Sequence, residues 1–292
     1  MESIANALIK LYLPAALGIF FSRAAKPGEE FFRLLSKALL YSFLPLLLFT
    51  SIYGANPLEL AAGFTQITVA VAVNVVTSAT FSYILTRDLE IVQLSVYVNA
   101  GYLPIPIAYT LWGSSALPLV GFYILFNASL GYLLAPVLIK GDLQSGLKEM
   151  VKFPPLYAIL AGLLVSLMGV EFPSFIEEAV KDVSNVTPYL ALFTLGAQVS
   201  HAGFKVDGKT AKLALVRFFI APLVVWLSAP LYLIPSNLSY KVALLESCMP
   251  PAVTNVVLSS VYSTEPGKTV RTVFSLTLMS MLIVPAVMVL LS

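Results

Sequence analysis

Glu246, Pro250, Pro251 and Asn255 lie within one apolar stretch, 240–262. Asn99, Gly101, Tyr102, Pro104 and Pro106 interrupt another, 91–113. Proline lacks an amide hydrogen and deprives the carbonyl four residues earlier of its helical partner. Pro104 and Pro106 therefore release the carbonyls of Ala100 and Tyr102, and Pro250 and Pro251 those of Glu246 and Ser247. Each interruption also starts a new half-helix. Its N-terminus carries roughly half a positive charge and unpaired amides, which attract an anion. Carbonyls freed beside such ends suit a cation. The expected chemistry is recognition of a carboxylate-like anion, with a cation or proton nearby. Asn99 is placed to donate to that carboxylate or to cap a half-helix. Glu246 is ionisable inside an apolar span, which by default marks a functional site. It is expected to exchange a proton or to join the carbonyls around a sodium ion. The alternative is a structural hydrogen bond to a neighbouring helix.

The rest of the chain must position these groups inside a bilayer. It has 292 residues, 59% hydrophobic and 11% charged, with mean hydropathy +0.90. A soluble domain carries about 25% charge, so an all-α polytopic membrane protein is expected. About 20 apolar residues cross a bilayer. Ten spans are read, at 4–21, 31–53, 60–85, 91–113, 117–138, 155–170, 183–200, 211–234, 240–262 and 270–291. The seventh has a polar start at Glu177, Glu178, Lys181 and Asp182. Met1-Glu2-Ser3 is not a basic n-region, so the first span is expected to be retained. One cysteine, Cys248, and one histidine exclude a disulfide within the chain and a thiolate or multi-His metal site.

Lys and Arg set the orientation. The loops and helix ends after spans 1, 3, 5, 7 and 9 hold fourteen of them, from Arg23 through Lys140 and Lys148 to Arg271. The other side has Lys181 and Lys241, with Lys10 in the outer half of span 1. Both termini are expected outside the cytoplasm. Five spans per half invert the second half relative to the first, giving a first repeat over 1–140, a cytoplasmic loop over 141–152 and a second repeat over 153–292. An internal echo agrees: Leu44-Pro45 through Leu48-Phe49-Thr50 in span 2, and Thr187-Pro188 through Leu192-Phe193-Thr194 in span 7. Spans 4 and 9, the broken ones, occupy matching places in the two halves. Asn74, Gln66, Asn127 and Gln198 read as helix–helix hydrogen bonds. Arg217, close to the inner end of span 8, reads as a side chain that snorkels to the interface.

The run Asn99-Ala-Gly-Tyr-Leu-Pro-Ile-Pro106 resembles the auxin efflux carrier family, whose fourth span carries an Asn-x-Gly-Phe-x-Gly-x-Pro-like stretch. Thr187 to Ala197, Met249-Pro250 through Asn255-Val-Val-Leu258, and the terminal run Ser275 to Pro285 resemble it too. The resemblance implies a ten-helix 5+5 inverted repeat in which the broken spans 4 and 9 cross. It also implies a scaffold from spans 1, 2, 6 and 7, a mobile transport domain from spans 3–5 and 8–10, homodimers, and transport of organic anions. The implied protein is a short microbial-type secondary carrier in the cell membrane, working by elevator-like alternating access. The substrate-binding residues expected from the two breaks themselves are Asn99, Gly101, Tyr102, Pro104, Pro106, Pro250, Pro251 and Asn255, with Glu246 the ion-coupling residue. Three positions depart from the family. Pro104 replaces a usual glycine, Pro251 a small polar residue, and Glu246 a small or neutral one. The last departure puts simple anion uniport in doubt.

The alternative is a sodium-coupled symporter of the bile-acid type, with similar architecture and a glutamate near its second crossing. No cofactor is expected beyond a coupling proton or sodium ion, and no nucleic-acid partner. An intramembrane enzyme is disfavoured, since the chain lacks Gly-x-Gly-Asp, His-Glu-x-x-His and a membrane Ser/His dyad. A channel is disfavoured by the lack of a charged ring or carbonyl filter loop.

Overall fold

The computed structural model describes residues 2–53, 55, 57–200, 204–234, 237–263 and 265–291. In chain order its α-helices are α1 (Glu2–Ala25), α2 (Glu29–Ala38), α3 (Leu44–Tyr53), α4 (Pro57–Thr86), α5 (Leu89–Val96), α6 (Pro104–Trp112), α7 (Leu117–Lys140) and α8 (Leu143–Val151). They continue with α9 (Pro154–Met168), α10 (Ser174–Val199), α11 (Gly208–Leu215), α12 (Ala221–Ser228), α13 (Leu238–Ser247), α14 (Thr254–Tyr262) and α15 (Pro266–Leu291). One-turn π-helical segments, Leu39–Phe43 and Val216–Ile220, join α2 to α3 and α11 to α12. Among the described residues there is no strand, only an isolated antiparallel bridge between Val98 and Pro251.

Five stretches are long and apolar enough to cross a membrane: Glu30–Tyr53, Leu60–Thr86, Ser114–Lys140, Gly208–Leu231 and Gly267–Val284. The bent pair α8 and α9 makes a sixth if it is one span. The interrupted segments fall short of a span by length, because their pieces have only 8, 9, 10 and 9 residues. Large apolar side chains such as Phe20, Leu167, Leu227 and Leu282 stand exposed, as lipid-facing residues do. The chain is a multi-pass membrane protein.

Two compact units interleave along the sequence. The first comprises Met1–Phe64, Gly101–Leu125 and Pro154–His201; the second comprises Thr65–Ala100, Phe126–Phe153 and Ala202–Ser292. In the first unit, α1 packs along α10 and α3 along α9. Small residues let these backbones meet, as in membrane bundles generally. A Cβ on Gly18 would collide with the Phe193 carbonyl, and one on Gly196 with the Ala15 carbonyl. Ser200 Oγ reaches Ser22 Oγ at 2.8 Å further along the same pair, so the two helices run parallel. Gly162 of α9 lies against Phe49 and Ile52 of α3, and Ser166 Oγ donates to the Ala55 carbonyl at 3.5 Å. That pair is parallel as well. α3 and α10 are tied by Thr50 Oγ1 to Ser184 Oγ at 3.3 Å, and by Thr187 Oγ1 to the Phe43 carbonyl at 3.3 Å. The polar start of the seventh expected span is helical from Ser174, with Lys181 and Glu177 paired one turn apart at 3.7 Å.

In the second unit polar side chains start the helices. Asp88, Asp142, Asp207 and Asn237 cap α5, α8, α11 and α13, each accepting a first-turn amide. Residues 141–152, expected as a loop, instead turn at Gly141 (φ 70°) and form α8 from the Asp142 cap. Gly146 on α8 lies against the Leu133 backbone of α7, too close for any Cβ. One apolar core joins Ile91 and Leu94 of α5 to Leu213, Phe218, Val273 and Leu276. Another joins Ala70 of α4 to Val225, Leu233 and Leu244.

Asp88 also ties three segments together, with Lys209 Nζ at 2.6 Å and Lys268 Nζ at 3.6 Å. Partial burial works to raise its pKa. The hydrogen bonds from Lys209 and from the Ile91 amide, with the charges of both lysines, outweigh burial and hold it below the ordinary value. A carboxyl depressed in the folded state stabilises the fold above its unfolded pKa, about 3.9. That contribution is lost as pH falls through the folded pKa.

Two outcomes are expected. Asp88→Asn, which keeps a capping oxygen but no charge, lowers the neutral-pH melting temperature and flattens its fall below about pH 4, measured by thermal unfolding in detergent. Gly196→Leu forces α1 from α10 and costs at least the ~1–3 kcal/mol typical of overpacking, read as lost monodisperse protein. Gly28→Ala, which meets nothing within 4 Å, leaves both readouts unchanged.

Candidate functional site

α5 carries the first break. Every residue from Ile91 to Val96 is buried, including Gln93 and Ser95. The helix stops at Tyr97, whose backbone turns extended (φ −96°, ψ 93°). α13 carries the second break. It ends at Ser247, and residues 248–253 pass before α14 begins at Thr254. The prolines act here as boundaries and not as kinks within a continuous helix. Pro104 is the first residue of α6, where its missing N–H has no intrahelical partner to lose. The Ile105 amide donates to the Gly101 carbonyl at 3.2 Å. The Glu246 carbonyl, expected to be free, accepts from the Met249 amide at 3.2 Å in a closing turn.

Within the second unit the two break segments satisfy each other. The Asn99 amide donates to the Pro250 carbonyl at 2.8 Å, and the Ala252 amide to the Tyr97 carbonyl at 2.9 Å. Polar side chains complete the pairing. Asn127 of α7 donates to the Val96 carbonyl at 2.7 Å and accepts from the Val98 amide at 3.0 Å. Asn255 donates to the Tyr97 carbonyl at 2.9 Å and accepts from Gln93 Nε2 at 3.3 Å, and Gln93 also donates to the Gly131 carbonyl at 3.0 Å. Gly131 has no room for a Cβ because the Tyr97 ring covers it. Tyr97, Tyr132 and Phe153 continue as a row of rings 5.6 Å apart.

Arg217, expected to snorkel, is fully buried. It sits on the π-helical segment of Val216–Ile220. A π-turn shifts the register of the residues beyond it, and the side chain is directed to the second break. Nε donates to the Met249 carbonyl and one terminal nitrogen to the Ser247 carbonyl, both at 2.9 Å. The other terminal nitrogen donates to Asn74 Oδ1 at 3.1 Å and Ser78 Oγ at 2.7 Å, both on α4. A cation thus closes the C-terminal end of α13, where the helix dipole favours one. Glu246 is one residue from this end. It is fully buried, and neither carboxylate oxygen has a hydrogen-bond partner among the described residues.

Of the expected site residues, Asn99, Pro250, Pro251 and Asn255 come together in the second unit, with Glu246 on the preceding turn. All five are buried. Gly101, Tyr102, Pro104 and Pro106 belong to the first unit; the prolines are buried and Gly101 and Tyr102 partly so. Sequence reading passed over Arg217 and Ser78 as site residues and took Asn127 and Asn74 for ordinary interhelical contacts. One signal could have drawn attention to Arg217. It lies six residues inside an apolar run, deeper than the lysines around it.

The second break lies inside the region that matches the membrane transport protein family, residues 142–288. Two archaeal proteins are similar along most of their length. One, an uncharacterized transporter of Methanocaldococcus jannaschii, is 24% identical over 278 residues, covering 88% of each chain. The other, an uncharacterized transporter of Methanothermobacter thermautotrophicus, is 25% identical over 304 aligned positions, covering 97% of this chain and 96% of its own. The fold and these matches define a membrane transporter, not an enzyme. The chain belongs to the membrane transport protein family, the auxin efflux carrier type that its motifs resemble.

Asn127 tests the braced break. Asn127→Leu keeps the side-chain volume but strands the Val96 carbonyl and the Val98 amide in the interior. A buried unsatisfied group costs about 1–3 kcal/mol. The variant is expected to unfold at lower denaturant than wild type and to lose transport.

Proposed function

We propose that this transporter is a secondary carrier moving a small organic anion, a carboxylate, by elevator-like alternating access. The observation that carries the reading is the pair of buried helix breaks bonded to each other, Tyr97–Asn99 with Pro250–Ala252. Irregular backbone at membrane depth is tolerated where it is held by protein or lines a cavity, and in transporters such breaks form the substrate site. α14 starts beside this pairing with no side-chain cap, so its dipole end favours an anionic group. Asn99, Pro250 and Pro251 are the proposed contacts, and Asn255 holds their shape. Gly101, Tyr102, Pro104 and Pro106 are proposed as substrate contacts on the strength of their sequence motif.

The proposed architecture is ten spans in a 5+5 inverted repeat, with spans 4 and 9 crossing, both termini outside the cell membrane and the protein a homodimer. Spans 1 and 7 cross in the same sense in that arrangement, as do spans 2 and 6. The parallel pairs α1 with α10 and α3 with α9 support it.

Glu246 is the proposed coupling group, because a buried carboxylate without a hydrogen bond is costly to keep unless it is used. Glu246→Gln is expected to keep the fold and anion exchange but to lose uphill accumulation. Exchange needs no net ion movement. Uptake and counterflow of radiolabelled carboxylates in the same proteoliposomes decide this. Unchanged accumulation with unchanged pH dependence would make Glu246 structural. Absence of uptake, counterflow and binding for every carboxylate tried would remove the anion reading.

A further inference from the structure

We infer that Arg217 is a tethered cation, occupying the place a coupling metal ion would take, so that this protein works without bound sodium. The inference deepens the proposed coupling role of the second break and rests on it.

The argument starts from the oxygens. Two backbone carbonyls, Ser247 and Met249, together with Asn74 Oδ1 and Ser78 Oγ surround the three nitrogens of Arg217. All four are neutral hard donors, and two come from the unwound end of a half-helix. Such ends and carbonyls coordinate sodium in transporters with broken helices. The adjacent Glu246 adds a carboxylate without a hydrogen-bond partner among the described residues. By composition this is an alkali-cation site. The centre is instead filled by a guanidinium, with each oxygen at 2.7–3.1 Å from one of its nitrogens.

The substitution has consequences that the contacts alone supply. Guanidinium stays protonated at any working pH, so this positive charge never leaves and never titrates. It holds the carbonyl of Ser247, the residue that follows Glu246. It balances the negative end of α13 and, when Glu246 is ionised, that carboxylate too. A sodium ion would have to displace four hydrogen bonds to enter. The anion proposed to bind beside Pro250 meets a permanent positive charge there, one residue from a carbonyl that Arg217 already holds. Binding then requires no co-bound metal ion. Removing the side chain leaves four neutral oxygens around a space, with Glu246 on the neighbouring residue, and drawn inward these oxygens can hold a small monovalent cation.

The test uses purified full-length protein in detergent. Melting temperatures are compared in sodium, potassium and choline chloride at equal ionic strength, with methylguanidinium as a further addition. Wild type is expected to melt alike in all three salts. Arg217→Ser is expected to melt lower in choline and to regain part of the loss in sodium or in methylguanidinium. The double variant Arg217→Ser with Glu246→Gln is expected to respond to sodium less. Arg217→Lys, which keeps a charge but fewer donors, should fall between wild type and the serine variant. Sodium-specific stabilisation of wild type overturns the inference. So does a folded, monodisperse Arg217→Ser that no small cation stabilises. If Arg217→Ser does not fold, the wild-type salt comparison and the lysine variant still decide. Should no carboxylate bind while the cation results come out as expected, the substrate reading fails and the tethered cation stands.

Discussion

Buried backbone groups must find partners within the protein, and here that requirement falls on two short non-helical segments. An unsatisfied peptide group in an apolar medium costs several kcal/mol. Two helices that each stop halfway expose many such groups. The chain resolves this by pairing one break with the other, Asn99 to Pro250 and Ala252 to Tyr97. Much else in the second unit follows. Asn127 and Asn255 are buried because they supply what the short pairing leaves over. Gly131 is small because the Tyr97 ring lies over it, while the Tyr97 carbonyl accepts from Ala252 and Asn255.

Electrostatics sets the second constraint. Stopping α13 at Ser247 leaves carbonyls at its negative end, and Arg217 takes two of them. A fully buried arginine is expensive unless it is well paired, and this one is held by four oxygens. Its position on a π-helical segment ties backbone geometry to charge placement. Glu246 then lies near a fixed positive charge and not in isolation. A buried carboxylate in that setting has a reason to persist.

Both units combine close backbone contact with side-chain hydrogen bonds, in different proportions. In the first, Gly18 and Gly196 let α1 and α10 approach more closely than any side chain allows. Apolar burial gives little drive between helices in lipid, so this packing is the main source of adhesion. The second relies on side-chain hydrogen bonds around the breaks and on the Asp88 ion pairs. Polar networks have discrete alternative arrangements, whereas glycine-packed backbones have few.

The sequence by itself determined a good deal. Its composition required a multi-pass membrane protein, and the paired prolines located both helix breaks within a few residues. The Asn99–Pro106 and Pro250–Asn255 motifs pointed to the transporter family. These features were legible because they act locally, through a missing amide hydrogen or a run of apolar residues. Only the tertiary structure decided which groups satisfy the breaks. Arg217 read as a snorkelling residue because a sequence shows depth along a span but not direction around it. The π-turn that directs it inward has no signature in Val216–Ile220. Asn127 and Asn74 looked like any interhelical asparagine, since their partners stand 31 and 143 positions away. The 141–152 segment read as a loop because it is short and polar, yet the Asp142 cap and the contact of Gly146 with α7 make it a helix. Hydrogen bonding across large sequence separations depends on which faces the fold brings together, and periodicity and composition do not encode that.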